Sequence, residues 1–119
     1  MLTQIHGVLD QQQLQIVQKI ISQGRFTDGG PSAGKAARRV KHNEELSLED
    51  AQLGKLNNLV MGSLVKHPTY RSAAMPLKIA APYYAHYKAG MSYGDHVDDP
   101  IMGQGDVYRS DVSVTIFLN

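Results

Sequence analysis

The most informative segment of the chain is residues 87–98, which read YKAGMSYGDHVD. Near its end stand two side chains that can bind metals, His96 and Asp98. Residues i and i+2 of a β-strand point to the same face, so this spacing predicts that the imidazole and the carboxylate converge. We therefore predict a short strand over residues 93–98 that carries both groups.

His96 and Asp98 correspond to part of a known set of metal ligands. One imidazole and one carboxylate are two of the three ligands of the 2-His-1-carboxylate facial triad, which leaves positions on iron(II) open for a cosubstrate and dioxygen. The competing interpretation is a solvent-facing acidic turn over residues 95–99, because His-x-Asp also arises by chance. From the residues alone, both interpretations stay open.

Length, composition and charge are those of an ordinary small globular chain. The 119 residues suffice for one domain with a modest core, and 42% of them are hydrophobic and 19% charged. The net charge of +1 does not favour nucleic acid, and the lack of cysteine excludes disulfides and thiolate chemistry. No apolar run approaches the ~20 residues that span a bilayer, and no signal peptide is recognisable. We expect a cytoplasmic protein that binds neither nucleic acid nor membrane.

Two helices are predicted from apolar periodicity and capping signals. The first spans about residues 10–23 and begins at the capping pair Asp10 and Gln13. The second spans about residues 47–66, with Ser47 as its N-cap. Its predicted buried stripe consists of Leu53, Leu56, Val60 and Leu64. Both helices therefore lie in the first part of the chain.

The period then changes from helical to two. Strands are predicted at residues 77–81, 83–87, 93–98 and 109–119. Residues 28–35 and 99–108 are predicted as loops, and Arg38, Arg39 and Lys41 as an extended, solvated stretch. The predicted order, helices first and antiparallel strands afterwards, is that of an α+β fold.

The residues around the metal pair resemble a known family. Residues 87–98 contain a tyrosine, a glycine-containing turn, a second tyrosine and His-x-Asp, an order similar to that of prolyl hydroxylases and bacterial PKHD-type hydroxylases. Residues 109–118 resemble the strand that follows the pair in that family, and residues 26–29 and 40–43 resemble its N-terminal region. The resemblance covers nearly the whole chain in one register.

This resemblance implies a double-stranded β-helix, a distorted jelly roll with supporting helices, which is incomplete at the C-terminus of this chain. We expect a single domain over residues 1–119, the N-terminal part of a 2-oxoglutarate oxygenase. Within it, residues 1–70 form a helical support region, and residues 71–119 form the first strands of the β-helix with the His-x-Asp motif.

The resemblance also implies a hydroxylase that uses Fe(II), 2-oxoglutarate and O2. It makes His96 and Asp98 the metal ligands, with no further catalytic residue. Tyr87 matches the tyrosine that contacts 2-oxoglutarate, although a core aromatic is the alternative. Arg109 matches a position that can contact substrate, although an exposed, solvated arginine is the alternative. Tyr93 is expected to pack beneath the metal strand.

The family also needs a second histidine and a basic residue for the distal carboxylate of 2-oxoglutarate, and neither occurs at a matching position before Asn119. Three accounts are open: part of a longer or split hydroxylase, a chain completed by a partner or by self-association, or a degenerate remnant. We expect the isolated chain not to turn over 2-oxoglutarate. The alternative function is a non-catalytic binding or assembly domain. The substrate, a protein side chain or a small molecule, is not identified.

Overall fold

Short strands alternate with helices along the chain, and the computed structural model describes all of residues 1–119. The helices are α1 (Gln11–Ile21), α2 (Lys35–Arg38), α3 (Asp50–Lys66) and α4 (Pro68–Ala74). The strands are β1 (Arg25–Asp28), β2 (Lys41–His42), β3 (Glu44–Ser47), β4 (Ala85–His86), β5 (Ser92–Tyr93), β6 (Ile101–Met102) and β7 (Tyr108–Arg109). The α+β class is confirmed. The predicted order is wrong, because β1, β2 and β3 precede α3 and pair with one another or with later strands.

The chain divides into two compact units, each built from separate segments. Unit 1 comprises residues 1–25, 47–83 and 117–119, and it contains the three longer helices. Unit 2 comprises residues 26–46 and 84–116, and it contains α2 and most of the strand residues. The assignment of a helical support region and a β-helix region remains a prediction.

Helix α1 begins where the capping pair predicts. The Asp10 carboxylate accepts a hydrogen bond from the Gln13 backbone N–H at 2.7 Å, and the Gln13 side chain accepts one from the Asp10 N–H at 2.9 Å. This reciprocal capping box satisfies two backbone donors that would otherwise have no partner inside the helix. Val17, one turn further along, is fully buried.

Helix α3 begins later than predicted, with Glu49 rather than Ser47 at its N-cap. Ser47 is instead the last residue of β3, where the neighbouring Leu46 N–H donates to the Tyr84 carbonyl oxygen at 2.9 Å. Pairing between strands therefore overrides the local capping signal. No helix combines the length and the apolar character that crossing a membrane requires.

The core of unit 1 is the apolar stripe that the sequence predicts for α3. Leu56 is fully buried, and Val60 and Leu64 are nearly so. Val17 of α1 and Tyr70 of α4 complete the buried set of this unit. Side chains at i, i+4 and i+8 lie on one helical face, which explains why this stripe packs against α1 and α4.

The strands of unit 2 form three small sheets. One has three strands in the order β1-β3-β4, and the others are the pairs β2-β5 and β6-β7. Lys41 lies opposite Tyr93 across β2-β5, and Glu44 lies opposite His86 across β3-β4, both antiparallel. Residues 41–47 thus pair with two consecutive parts of the same later segment.

Several predicted strands are shorter than expected, and one is absent. Residues 77–81 form no strand; Pro76 and Pro82, which flank them, have no N–H to donate to a ladder. Only Ala85–His86 of the predicted strand 83–87 pairs with another strand.

The C-terminal strands also differ from the prediction. The predicted loop 99–108 contains β6 and leads into β7, which pair as a hairpin. Within the predicted strand 109–119, only Arg109 belongs to a strand. A ladder needs a partner as well as an alternating pattern, and residues 110–119 form no ladder in this chain. The jelly roll remains a prediction.

We expect Leu56→Ala to lower the free energy of unfolding by about 2–5 kcal/mol, because it leaves a cavity in a fully buried site. The matched control is Leu77→Ala, the same substitution at a fully exposed position, which should change stability by less than about 0.5 kcal/mol. Urea denaturation followed by circular dichroism measures both. Equal losses for the two variants would contradict this assignment of the core.

Candidate metal site

His96 and Asp98 meet in the segment that follows β5. His96 Nε2 lies 3.2 Å from Asp98 Oδ1, with 26% of the His96 side chain and 62% of the Asp98 side chain exposed. The predicted strand over 93–98 is wrong beyond Tyr93, because β2 begins at Lys41, the partner of Tyr93, and so offers no ladder partner to residues 95–98. The two groups nevertheless lie together, whereas their role as metal ligands remains a prediction.

The orientation of the His96 ring is constrained by a hydrogen bond to the backbone. Its Nδ1 lies 2.7 Å from the Gly94 carbonyl oxygen, which can only accept, so Nδ1 carries the proton and donates it. In a neutral ring this tautomer leaves the lone pair on Nε2, the atom that faces Asp98. Gly94 is itself held by an N–H donated to the Val40 carbonyl oxygen at 2.8 Å.

An aromatic ring supports the His96 imidazole. The rings of Tyr93 and His96 stack with their centres 3.7 Å apart and their planes at 27°. This contact agrees with the expectation that Tyr93 packs against the metal-binding segment. Lys41 Nζ lies 5.3 Å from the centre of the same Tyr93 ring, within the range of a cation–π interaction.

The prediction that Lys41 is solvated is wrong. Only 9% of Lys41 is exposed, and its Nζ donates to Glu45 Oε1 at 2.9 Å and to Ser32 Oγ at 2.5 Å. The Ser32 hydroxyl also contacts Glu45 Oε1, which closes a cluster of three polar side chains. The Glu45 carboxylate, the Ser32 hydroxyl and the face of the Tyr93 ring surround the ammonium group, and these contacts offset the cost of burying its charge.

Tyr87 lies just beyond β4 and is 47% exposed. Its hydroxyl oxygen accepts a hydrogen bond from Asn43 Nδ2 at 3.0 Å. Asn43 is only 5% exposed, and its Oδ1 is buried without a partner. That oxygen occupies the space beside Gly29, where a Cβ atom would collide with it. The 2-oxoglutarate contact of Tyr87 remains a prediction.

Arg109 lies in β7 with 74% of its side chain exposed. Its Nε donates to Asp111 Oδ1 at 2.6 Å. Of the predicted site residues, His96 and Asp98 therefore pair with each other, while Tyr87 and Arg109 each bond to a different neighbour. The substrate contact of Arg109 remains a prediction.

The sequence analysis did not identify Lys41, Asn43 and Glu45 as residues of the site. Their side chains share one face of the extended stretch 41–45. The available signal was their spacing of two, the period of a strand face. It was obscured because all three side chains are polar, whereas a buried face is ordinarily recognised by apolar residues. No group of three His, Cys, Asp or Glu side chains in the chain is arranged to hold a metal ion.

A second ionic cluster lies on β3-β4. Glu44 accepts from Lys88 Nζ at 3.2 Å, and its other oxygen lies 3.3 Å from His86 Nδ1. The hydrogen bond from Lys88 lowers the pKa of Glu44 below its ordinary value, burial opposes the shift, and His86 adds to it. The His86 ring also lies against Phe26, with centres 4.8 Å apart.

The fold and the site define an α+β protein in which the imidazole–carboxylate pair of His96 and Asp98 is held beside a tyrosine. No family model matches the chain. It is 48% identical, over 99% of its length, to a PKHD-type hydroxylase of Thioalkalivibrio sulfidiphilus, of which it covers 53%. It is 37% identical over its whole length to one of Thermosynechococcus vestitus and 36% over 97% to one of Hyphomonas neptunium, covering 54% and 52% of them.

The predicted resemblance is confirmed: the chain is similar along nearly its whole length to proteins named PKHD-type hydroxylase. It spans about half the length of the curated relatives that it matches.

We expect Gly29→Ala to destabilise unit 2 by about 1–3 kcal/mol, because the new methyl group would overlap the buried Asn43 carboxamide. Gly34→Ala is the matched control: neither glycine has a positive φ, and a Cβ at Gly34 meets nothing within 4 Å. Thermal unfolding compares the two variants. A loss in Gly29→Ala no larger than in Gly34→Ala would contradict this packing.

We expect Lys88→Met to raise the pKa of the Glu44 carboxyl towards its ordinary value of 4.5, because the main hydrogen bond that lowers it is removed. Because the Glu44 pKa is lower in the folded state than in the unfolded state, its ionisation stabilises the protein at pH values above about 4.5. This contribution is lost as the pH falls through the folded-state pKa. The carboxyl carbon shift in an NMR titration measures the change. Lys55→Met, on α3, should leave the Glu44 titration unchanged.

Proposed function

We propose that this chain contributes two of the three protein ligands in the iron site of an Fe(II)- and 2-oxoglutarate-dependent hydroxylase, namely His96 and Asp98. The observation that carries the proposal is the 3.2 Å separation of His96 Nε2 and Asp98 Oδ1, with Nδ1 already bonded to a carbonyl oxygen. The names of the relatives, PKHD-type hydroxylase, support the reaction class.

The donor set fits a ferrous ion in chemistry and spacing. Two ligands that occupy adjacent positions on one ion, with bonds of roughly 2.0–2.2 Å, lie about 3 Å apart. A protonated imidazole would form an ion pair at the same separation, so a metal titration distinguishes the two states. The chain supplies two of the three protein ligands of the facial triad.

The role proposed for Tyr87 follows from its hydrogen bond. Its oxygen accepts from Asn43 Nδ2, which leaves its own O–H to donate to another acceptor. A carboxylate of 2-oxoglutarate is an acceptor of the right kind, and a hydrogen bond to a charged acceptor is stronger than a neutral one. Asn43 thereby sets the direction in which Tyr87 donates.

Arg109 is proposed to contact the substrate. Its Nε is taken by Asp111, which leaves the terminal N–H groups of the guanidinium for a substrate acceptor. When bound, iron would let O2 react with 2-oxoglutarate, which supplies two electrons and is converted to succinate and CO2 with one oxygen atom, so that the other oxygen atom hydroxylates the substrate. We further propose the double-stranded β-helix of the family as the complete fold, with the remaining strands supplied by additional chain or by a partner.

The test is an anaerobic titration of the chain with Fe(II) and 2-oxoglutarate, followed by the metal-to-ligand charge-transfer absorption. We expect a band that His96→Ala abolishes, because that change removes a ligand. His42→Ala, an exposed histidine on β2, should retain the band. A band that survives in His96→Ala would show that the metal is placed wrongly.

The same preparation tests the alternative function. We expect no iron-dependent release of CO2 from 2-oxoglutarate by the chain alone, because a third protein ligand and the basic clamp are not supplied by its residues. Turnover would contradict this expectation. No charge-transfer band in the unmodified chain would instead favour the non-catalytic binding or assembly domain.

A further inference from the structure

The buried ammonium of Lys41 lies behind the tyrosine that supports the proposed iron-binding histidine. Lys41 Nζ stands 5.3 Å from the centre of the Tyr93 ring, and that ring stacks on His96 at 3.7 Å between centres. Lys41 also lies directly opposite Tyr93 in the β2-β5 pair. Backbone register and side-chain contact therefore place the same two residues together.

Lys41 is held in one position by its other contacts. Glu45 Oε1 at 2.9 Å and Ser32 Oγ at 2.5 Å accept its remaining hydrogen bonds, and the side chain of Lys41 is 8% exposed. A lysine side chain is intrinsically flexible, and it becomes a rigid support only when its ammonium is fixed in this way.

The His96 ring needs two constraints if Nε2 is to face Asp98. The hydrogen bond to the Gly94 carbonyl oxygen fixes Nδ1, but an imidazole can still tilt about a single hydrogen bond. The stacked Tyr93 ring removes that freedom, because tilting would break the face-to-face contact. Whatever fixes Tyr93 therefore fixes the direction of the His96 lone pair.

We propose that Lys41, clamped by Glu45 and Ser32, is a positioning residue that acts through Tyr93 to hold His96 in its metal-binding orientation. This inference rests on the proposed function, since it assigns a purpose to the orientation of a ligand. Residues that orient a ligand without touching the metal usually change metal affinity by about 10–100-fold when they are removed.

The test uses Mn²⁺ as a paramagnetic probe of the whole chain and follows the His96 ring resonances by NMR. We expect Lys41→Met, which keeps most of the unbranched side chain but removes the ammonium group, to raise the Mn²⁺ concentration for half-maximal broadening about tenfold. The metal-free spectrum of Lys41→Met should also lose the nuclear Overhauser contacts between the Tyr93 and His96 rings. This second readout does not depend on the metal.

Matched variants separate positioning from general destabilisation. Lys88→Met removes another lysine that bonds to a glutamate on the neighbouring β3-β4 pair, and it should leave both readouts unchanged. Tyr93→Phe keeps the ring and should behave as the unmodified chain. Tyr93→Leu removes the stacked ring but leaves the ion pair of Lys41 with Glu45, and it should weaken Mn²⁺ binding as Lys41→Met does.

The outcomes distinguish the inference from the proposed function. Unchanged Mn²⁺ broadening and ring contacts in folded Lys41→Met would overturn the inference alone. If Lys41→Met fails to fold, Tyr93→Leu serves as the test. Mn²⁺ broadening of the His96 resonances in Tyr93→Leu that equals the broadening in Tyr93→Phe would then overturn the inference. If Mn²⁺ does not broaden His96 in the unmodified chain, the metal site itself is wrong, and the inference fails with it.

Discussion

Unit 2 depends on one constraint: residues 41–47 must hydrogen-bond to two successive parts of the segment that begins at Tyr84. β2 pairs with β5 and β3 pairs with β4, and Asn43 stands between the two pairs. The Asn43 carbonyl oxygen also accepts from the Gly29 N–H at 3.0 Å, so that the β1 end is attached at the same point. A single stretch of backbone therefore sets the positions of β5, from which the segment with His96 and Asp98 extends, and of β4, which precedes Tyr87.

Because residues 41–47 are extended and paired with other strands, their successive side chains point to opposite faces of the sheet. Lys41 and Asn43 are buried, whereas His42 between them is exposed. Lys41 reaches Tyr93 and Asn43 reaches Tyr87, which are the two tyrosines on either side of the glycine-containing turn. Two residues that are two positions apart, Lys41 and Asn43, thus contact two tyrosines that are six positions apart in the sequence.

How much could be predicted depended on whether the signal was local. The start of α1 and the buried stripe of α3 follow from residues within a few turns of each other, and both are found. The predicted strand lengths were wrong because a strand also needs a partner strand to pair with. The segment 93–98 has the right composition, but β2 is too short to pair with more than its beginning. The His96–Asp98 contact survives because the bond from Nδ1 to Gly94 orients the ring without a ladder.

The prediction that Lys41 is exposed to solvent was wrong for a physical reason that bears on function. Composition places a lysine in water unless it is paired. Glu45 follows Lys41 at the period of a strand, but its other partner, Ser32, comes from a separate segment that no local pattern joins to Lys41. Stability alone does not explain such a choice, because replacing a buried ion pair by apolar residues is often neutral or stabilising by about 1–4 kcal/mol. The unpartnered Asn43 Oδ1 adds a further cost of about 1–3 kcal/mol. Natural sequences accept such departures mainly at functional sites, and both of these residues contact a tyrosine of the candidate site.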